Sequence, residues 1–162
     1  MNFFKKLFGS AGKSKNADVI PARPLQLQLP LVPASAASFA NQFVEIIRNN
    51  ERIGLNYSVG TLAFVEKFLE RFNKQGVSMD KFAETIFVAG CYVGQTMLVN
   101  AGGTWIPDTE SGLPPTIKTS PILIRLANGL VADPVSQAFK CFAKGKSESL
   151  MGFFHAFTQP AR

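Results

Sequence analysis

The sequence contains few residues of the types that metal and nucleophile chemistry require. It has one histidine, His155, and two cysteines, Cys91 and Cys141, which form no C-x-x-C pair. Because a structural metal needs three or four clustered ligands, we expect no metal site and no cofactor. Both cysteines lie in uncharged apolar patterns, which favours buried free thiols over a disulfide or a Cys–His nucleophile.

Other absences concern nucleotides, nucleic acids and membranes. No glycine-rich loop with a following Lys-Ser or Lys-Thr comes after a predicted strand, so nucleotide phosphate binding has no supporting motif. The net charge of +6 is concentrated in residues 1–30, where five basic residues stand against one acidic residue. Since basic and aromatic residues do not alternate on any predicted strand, we expect no nucleic-acid partner.

No run approaches the roughly 18 uninterrupted apolar residues of a membrane span. The first residues also lack the continuous apolar segment of a secretory signal. We therefore expect a cytoplasmic protein.

Apolar residues, by contrast, are plentiful, and one stretch organises the others. They make up 46% of the chain and include 15 phenylalanines, which predicts a core of large rings. From Thr85 to Val99 there is no charged residue, so the helix predicted over residues 79–100 is expected to be buried. Gly90 and Gly94 each cost a helix about 1 kcal/mol relative to alanine, and close packing against them is the expected compensation.

Residues 1–37 are predicted to form a flexible basic arm or linker, because their prolines exclude a helix. The alternation LQLQL within it would suit an extended segment that lies along the domain. A single globular domain is predicted over residues 38–160, with Ser38 capping its first helix and Gln75-Gly76 ending its second.

The period of the apolar pattern changes after the central helix. Strands are predicted at residues 104–106, at Ile117, and at residues 122–126 and 130–132, with Asn128-Gly129 as a hairpin turn. Asp133-Pro134 and Ser147 would open two final helices. The predicted fold class is α+β, with three helices, a small antiparallel β-meander and two C-terminal helices.

The pattern AGCYVGQTMLVNAGGTWIPD, followed by a hairpin and DPVSQAFKCFAKGKSESLMGFFHAF, resembles a bacterial family of small cytoplasmic domains of unknown function. In that family a helix of the form G-x-Y-x-G-E precedes a Gly-Trp strand. This chain has Gln95 where the family often has a carboxylate. The matching positions are Gly90, Tyr92, Gly94, Gln95, Trp105, Pro134, Lys140, Gly145 and Ser149.

The resemblance implies an immunity-like or accessory protein that acts beside a secreted toxin. We accordingly predict a non-catalytic domain that binds a protein partner, such as a toxin or effector. The loop Asp108–Pro115 follows Trp105, and an acidic loop beside an aromatic residue suits a basic protein. The predicted partner-binding residues are Trp105, Asp108, Glu110, Glu84 and Gln95; ordinary core packing of Trp105 is the competing interpretation.

Two alternatives stay open at this point. One is a small enzyme that uses Glu84, Gln95 and His155 in a pocket near Trp105, which requires those side chains to converge. The other is a membrane-surface adaptor with an N-terminal amphipathic segment. Its predicted contacts are Phe3, Phe4, Lys5, Lys6, Leu7 and Phe8.

Overall fold

A computed structural model describes residues 25–159. The predicted membrane-contact segment, residues 3–8, lies outside the described residues. Within them the elements are, in chain order, α1 (Ala36–Glu51), α2 (Thr61–Lys74), α3 (Met79–Ala101), β1 (Gly103–Pro107), β2 (Ile122–Leu126), β3 (Val131–Ala132), α4 (Pro134–Lys144) and α5 (Leu150–Thr158). The α+β fold with three helices, a meander and two helices is confirmed.

Helix α3 is the centre of the molecule, as the sequence predicts. Ser78 caps it, accepting a hydrogen bond on Oγ from the Lys81 N–H at 3.2 Å. Helices α1 and α4 pack against it, and its residues are buried on most sides. By length and composition α3 would be long enough to cross a membrane, but 67% of its most apolar window is buried within the protein. Core helices of soluble proteins meet the same criterion.

Phenylalanine rings join the helices around α3. The ring of Phe82 on α3 lies 4.7 Å from that of Phe72 on α2 and 5.7 Å from that of Phe142 on α4, centroid to centroid. Phe39 on α1 meets Phe87 edge to face at 5.1 Å. Such pairs each add roughly 0.5–1.5 kcal/mol beyond the burial of their area. The predicted core of large rings is confirmed.

The sheet is antiparallel in the order β1-β2-β3, with Trp105 opposite Ile124. The predicted hairpin turn is also confirmed, since Gly129 has a φ of +91° and donates its N–H to the Leu126 carbonyl at 2.8 Å. Ile117, however, is not in a strand. Its N–H closes a turn onto the carbonyl of Pro114 at 3.0 Å, and prolines at 114 and 115 leave no donors for a ladder.

Two predicted helix starts are wrong. Helix α1 begins at Ala36, two residues before Ser38, because Pro33 starts a 3-10 turn, Pro33–Ser35, that leads directly into the helix. Ser38 therefore lies within the first turn of α1 and does not cap it. Helix α5 is capped by Ser149, whose Oγ accepts from the Gly152 N–H at 3.1 Å. Ser147 lies two residues earlier, in the 3-10 turn Gly145–Glu148.

Candidate partner-binding site

The glycines of α3 determine where Trp105 lies. A Cβ atom on Gly94 would be 2.3 Å from Cη2 of Trp105, and one on Gly90 would be 2.6 Å from Cα of Val135. The Trp105 indole N–H donates to Oε1 of Gln95 at 2.9 Å. Trp105 and Gln95 are therefore engaged with each other on the inner side of the sheet, and the close packing predicted at both glycines is confirmed.

The convergence that the enzyme hypothesis requires is not found. Glu84 and Gln95 lie eleven residues apart on α3, a rise of about 16 Å along the helix axis. Oε2 of Glu84 accepts the backbone N–H of Gln26 at 2.8 Å. His155 is exposed on α5, with Nδ1 at 3.2 Å from Nε2 of Gln159. These residues do not form one pocket beside Trp105, and that form of the hypothesis is wrong.

The cysteines are also unsuited to act as nucleophiles. Both are free and buried, as predicted. Burial raises the pKa of the Cys141 thiol to about 12, and the carboxylates of Glu66, Glu70 and Glu148 add to the rise. Burial likewise raises the pKa of Cys91 well above its ordinary value. Both thiols are thus protonated at neutral pH, whereas the thiolate is the nucleophile.

Helix α4 and the loop before β2 meet at Asp133. The Asp133 carboxylate is the N-cap of α4, accepting the Ser136 N–H at 3.0 Å and the Ser136 hydroxyl at 2.9 Å. It also accepts the Ser120 N–H at 2.7 Å, which fastens the end of the loop to the start of the helix. The sequence predicts the cap but contains no signal for its bond to Ser120.

Burial and hydrogen bonding act on the pKa of the Asp133 carboxyl group in opposite directions. Burial raises the pKa of its carboxyl group, and the hydrogen bonds from Ser120 and Ser136 oppose that rise. The Ser120 hydroxyl lies 2.7 Å from Oδ1 of Asp133 and 2.8 Å from the Ile122 carbonyl oxygen. One hydroxyl proton cannot serve two acceptors. The Ser120 hydroxyl therefore donates to one of these oxygens at a time, and the Asp133 carboxyl group accepts hydrogen bonds from both Ser120 and Ser136.

The segment between β1 and β2, residues 108–121, forms the candidate site and is called the 108–121 loop below. It starts with the 3-10 turn Asp108–Glu110. The Asp108 N–H donates to the Pro121 carbonyl at 3.0 Å, which closes the base of the loop. With the Asp133 anchor beside this bond, the two ends of the loop are held by the sheet and α4.

An open pocket of about 650 Å³ lies along the 108–121 loop. Two of its apolar side chains are turned to solvent: Leu113 is 38% exposed and Ile117 is 51% exposed. Exposed apolar side chains grouped around a concave surface are typical of binding sites. The residues that line it are Asp108, Thr109, Ser111, Leu113, Pro114, Pro115, Ile117, Lys118, Thr119 and Pro121.

The charge around this pocket is mixed rather than acidic. Asp108 and Lys118 both line it. Arg125 on β2 donates from its guanidinium to the Glu110 backbone carbonyl at 2.7 Å. The predicted acidic residues Asp108 and Glu110 are exposed on the loop, but cationic side chains stand beside them. Leu113, Ile117 and Lys118 were not among the predicted partner-binding residues, although apolar residues inside the proline-rich stretch LPPTI are a signal in the sequence for a binding loop.

The five predicted partner-binding residues do not form one surface. Trp105 and Gln95 are hydrogen-bonded to each other and do not line the pocket, and Glu84 lies far from Gln95 along α3. Asp108 and Glu110 are together in the loop. In the described residues no three His, Cys, Asp or Glu side chains are grouped so that they could hold a metal ion. Comparisons with protein-family models, with curated proteins and with solved structures found no match.

Proposed function

We propose that this chain is a non-catalytic protein-binding domain and that the 108–121 loop is its partner site. The observation that carries the proposal is the pocket of about 650 Å³ beside the exposed side chains of Leu113 and Ile117. A few side chains that are buried in well-packed pockets near the centre of an interface supply most of its binding energy. The charged rim of Asp108 and Lys118 would then fix the orientation of the partner.

The anchoring of the loop supports this proposal. Ordering a loop on binding costs free energy, and a loop that is already held loses less. The bonds of Asp108 to Pro121 and of Ser120 to Asp133 hold both ends of the 108–121 loop. The apolar residues between these anchors remain available to a partner.

The more specific proposal is an immunity or accessory protein that neutralises or adapts a secreted toxin or effector. It rests on the resemblance of the central helix and the Trp105 strand to such domains. The toxin or effector that it binds is then expected to be encoded by a neighbouring gene. Co-expression of the two genes should yield a stoichiometric complex and should restore growth that the toxin alone stops.

Affinity capture with the full chain tests the partner site. The loop variant carries Leu113→Ser and Ile117→Ser. The matched control carries Val99→Ser and Leu130→Ser, two side chains that are 60% and 47% exposed elsewhere. We expect wild type and control to retain the same protein in stoichiometric amount and the loop variant to lose it.

Two results would count against the proposal. Equal retention by the loop variant would place the partner site elsewhere on the surface. Turnover of a substrate by the purified chain, abolished by a loop substitution, would replace binding with catalysis. Thermal melting of both variants checks that the substitutions leave the fold intact, since surface changes of this kind usually alter stability by less than about 0.5 kcal/mol.

A further inference from the structure

Helix α2 directs charges of opposite sign to different sides. Glu66 is turned inward, where its Oε1 accepts hydrogen bonds from the N-terminal end of α5. Lys67, Arg71 and Lys74 are all exposed. Because residues three and four apart in a helix are neighbours on one face, these three cations share a face. The outer side of α2 is therefore basic.

An open pocket of about 600 Å³ lies against this face and is called the basic pocket below. It is lined by four cationic side chains, three from α2 and one from the 3-10 turn Gly145–Glu148: Lys67, Arg71, Lys74 and Lys146. Two rings of α2, the half-buried Phe64 and the buried Phe68, supply its apolar part. None of its lining residues belongs to the 108–121 loop.

Two of the four cations have partners that leave the pocket basic. Nη2 of Arg71 lies 2.7 Å from Oε2 of Glu51, and its guanidinium lies 5.6 Å from the ring centroid of Phe68. Glu51 does not line the pocket, so Arg71 is held in place from outside it. Nζ of Lys74 lies 3.9 Å from Oε2 of Glu70, the acidic residue among those that line the pocket. Because the Lys74 side chain is 73% exposed, this pair contributes little.

The other two cations are unpaired. Among residues 25–159, no carboxylate lies within ion-pair distance of Lys67 or Lys146, and both side chains are exposed. An anionic group in the pocket would therefore meet two ammonium groups without breaking an existing ion pair. Its apolar neighbours would contact the Phe64 ring beside them.

We propose that the basic pocket is a docking surface for an acidic segment of a protein partner, with carboxylates against Lys67 and Lys146 and an apolar side chain against Phe64. Charge complementarity favours this occupant, since opposite charges steer the encounter and like charges oppose a basic segment. A lipid surface fits less well, because the most exposed large apolar side chains of the described residues lie elsewhere. A single nucleic-acid strand needs a series of exposed rings, and Phe64 is one half-buried ring.

Fluorescence anisotropy with a labelled peptide of sequence EELEELEE tests the proposal on the full chain. The pocket variant carries Lys67→Glu and Lys146→Glu. The matched control carries Lys81→Glu and Lys140→Glu, two exposed lysines outside the pocket, so both variants change the net charge equally. We expect the pocket variant to bind at least about tenfold more weakly than wild type and the control to stay within about twofold. The variant of the 108–121 loop should bind this peptide as wild type does, which separates this test from that of the loop.

Three results would overturn the proposal. One is no binding of the peptide to wild type. Another is an equal loss in the pocket variant and the control, which would reduce the effect to net charge. The third is tighter binding of anionic vesicles or of a single-stranded oligonucleotide, lost in the pocket variant, which would assign the pocket to another class of ligand.

A milder variant covers the case in which charge reversal prevents folding. Lys67→Gln with Lys146→Gln removes the two charges and adds none. It should still weaken binding of the peptide, and the remaining affinity should fall as salt is raised, because exposed charges are screened. Unchanged affinity in this variant, with its melting temperature preserved, would also contradict the proposal.

Discussion

At the scale of single residues, Gly94 shows how a missing side chain positions the strand. Gly94→Ala would place Cβ 2.3 Å from Trp105 Cη2 and 2.8 Å from Cγ of Pro134. Overpacking of this kind costs about 1–3 kcal/mol, more than the roughly 1 kcal/mol that alanine adds to a helix. We therefore expect Gly94→Ala to lower the free energy of unfolding measured in urea.

The matched control for Gly94 is Gly152→Ala on α5. A Cβ atom there would meet only the Ser149 side chain, with Cβ at 3.5 Å and Oγ at 3.6 Å, which are ordinary contacts. Alanine should therefore leave stability unchanged or raise it by up to about 1 kcal/mol. If both substitutions stabilise the chain equally, the packing role assigned to Gly94 is wrong.

Thr96 is a second informative residue. Its hydroxyl is fully buried in α3 and, within the described residues, has no hydrogen-bond partner. Thr96→Val keeps the shape and removes the unpaired group, so it should raise the free energy of unfolding by about 1 kcal/mol. Thr61→Val is the comparison, since its hydroxyl lies 2.6 Å from the Ser58 carbonyl and 2.7 Å from the Tyr92 hydroxyl. Thr61→Val should lower the free energy of unfolding. If Thr96→Val lowered it as well, the Thr96 hydroxyl would have to be hydrogen-bonded in the folded chain.

At the scale of elements, Glu66 joins α2 to α5. Its Oε1 accepts the Ser149 hydroxyl and the Leu150 N–H, both at 2.8 Å, and so helps to cap α5 from outside. Glu66→Ala should cost about 1–2 kcal/mol, because the N-terminal N–H groups of α5 lose an acceptor. Glu66→Gln should cost less, since it keeps the acceptor oxygen. Faster amide exchange confined to α5 in Glu66→Ala would show that the loss of stability arises at this helix. Unchanged stability in both variants would contradict a capping role of Glu66.

Asp133 makes the junction of the loop with α4 sensitive to pH. Burial raises the pKa of its carboxyl group above the ordinary value of 3.8, so the folded chain holds this proton more tightly than the unfolded chain. The resulting stability is complete below the ordinary pKa and is lost as pH rises through the raised pKa.

The test compares wild type with Asp133→Asn, which cannot ionise. The unfolding free energy of wild type minus that of the variant should fall as pH rises above the ordinary pKa of 3.8. A difference that grows with pH would mean that the hydrogen bonds from Ser120 and Ser136 outweigh burial and lower the pKa.

The elements also show what could be read from the sequence. The centre of the fold was predictable, because the charge-free stretch of α3, the Asn128-Gly129 turn and the Asp133-Pro134 cap are local signals. The contacts of Glu66 with α5 and of Ser120 with Asp133 were not, because each joins residues that only the tertiary fold brings together. For the candidate site, the sequence predicts the position of the loop. It also predicts Asp108, Glu110 and Trp105 as partner-binding residues, but of these only Asp108 lines the pocket. Trp105 is instead held by Gly94 and Gln95, a pairing that requires the register of β1 on α3.

At the scale of the whole molecule, a core of aromatic rings around α3 supports a loop whose two ends are fixed and whose middle is exposed. Binding residues often lie on loops that a rigid scaffold positions. Because Leu113 and Ile117 contribute little to the core, their replacement should separate binding from stability. The central claim is that they contact a protein partner.

Titration calorimetry with the purified captured partner tests that claim most directly. The loop variant, Leu113→Ser with Ile117→Ser, should bind at least about 100-fold more weakly than wild type, the loss of about 2.7 kcal/mol expected from two apolar contacts. The control with Val99→Ser and Leu130→Ser should bind as tightly as wild type. Unchanged affinity of the loop variant, with its melting temperature preserved, would contradict the account.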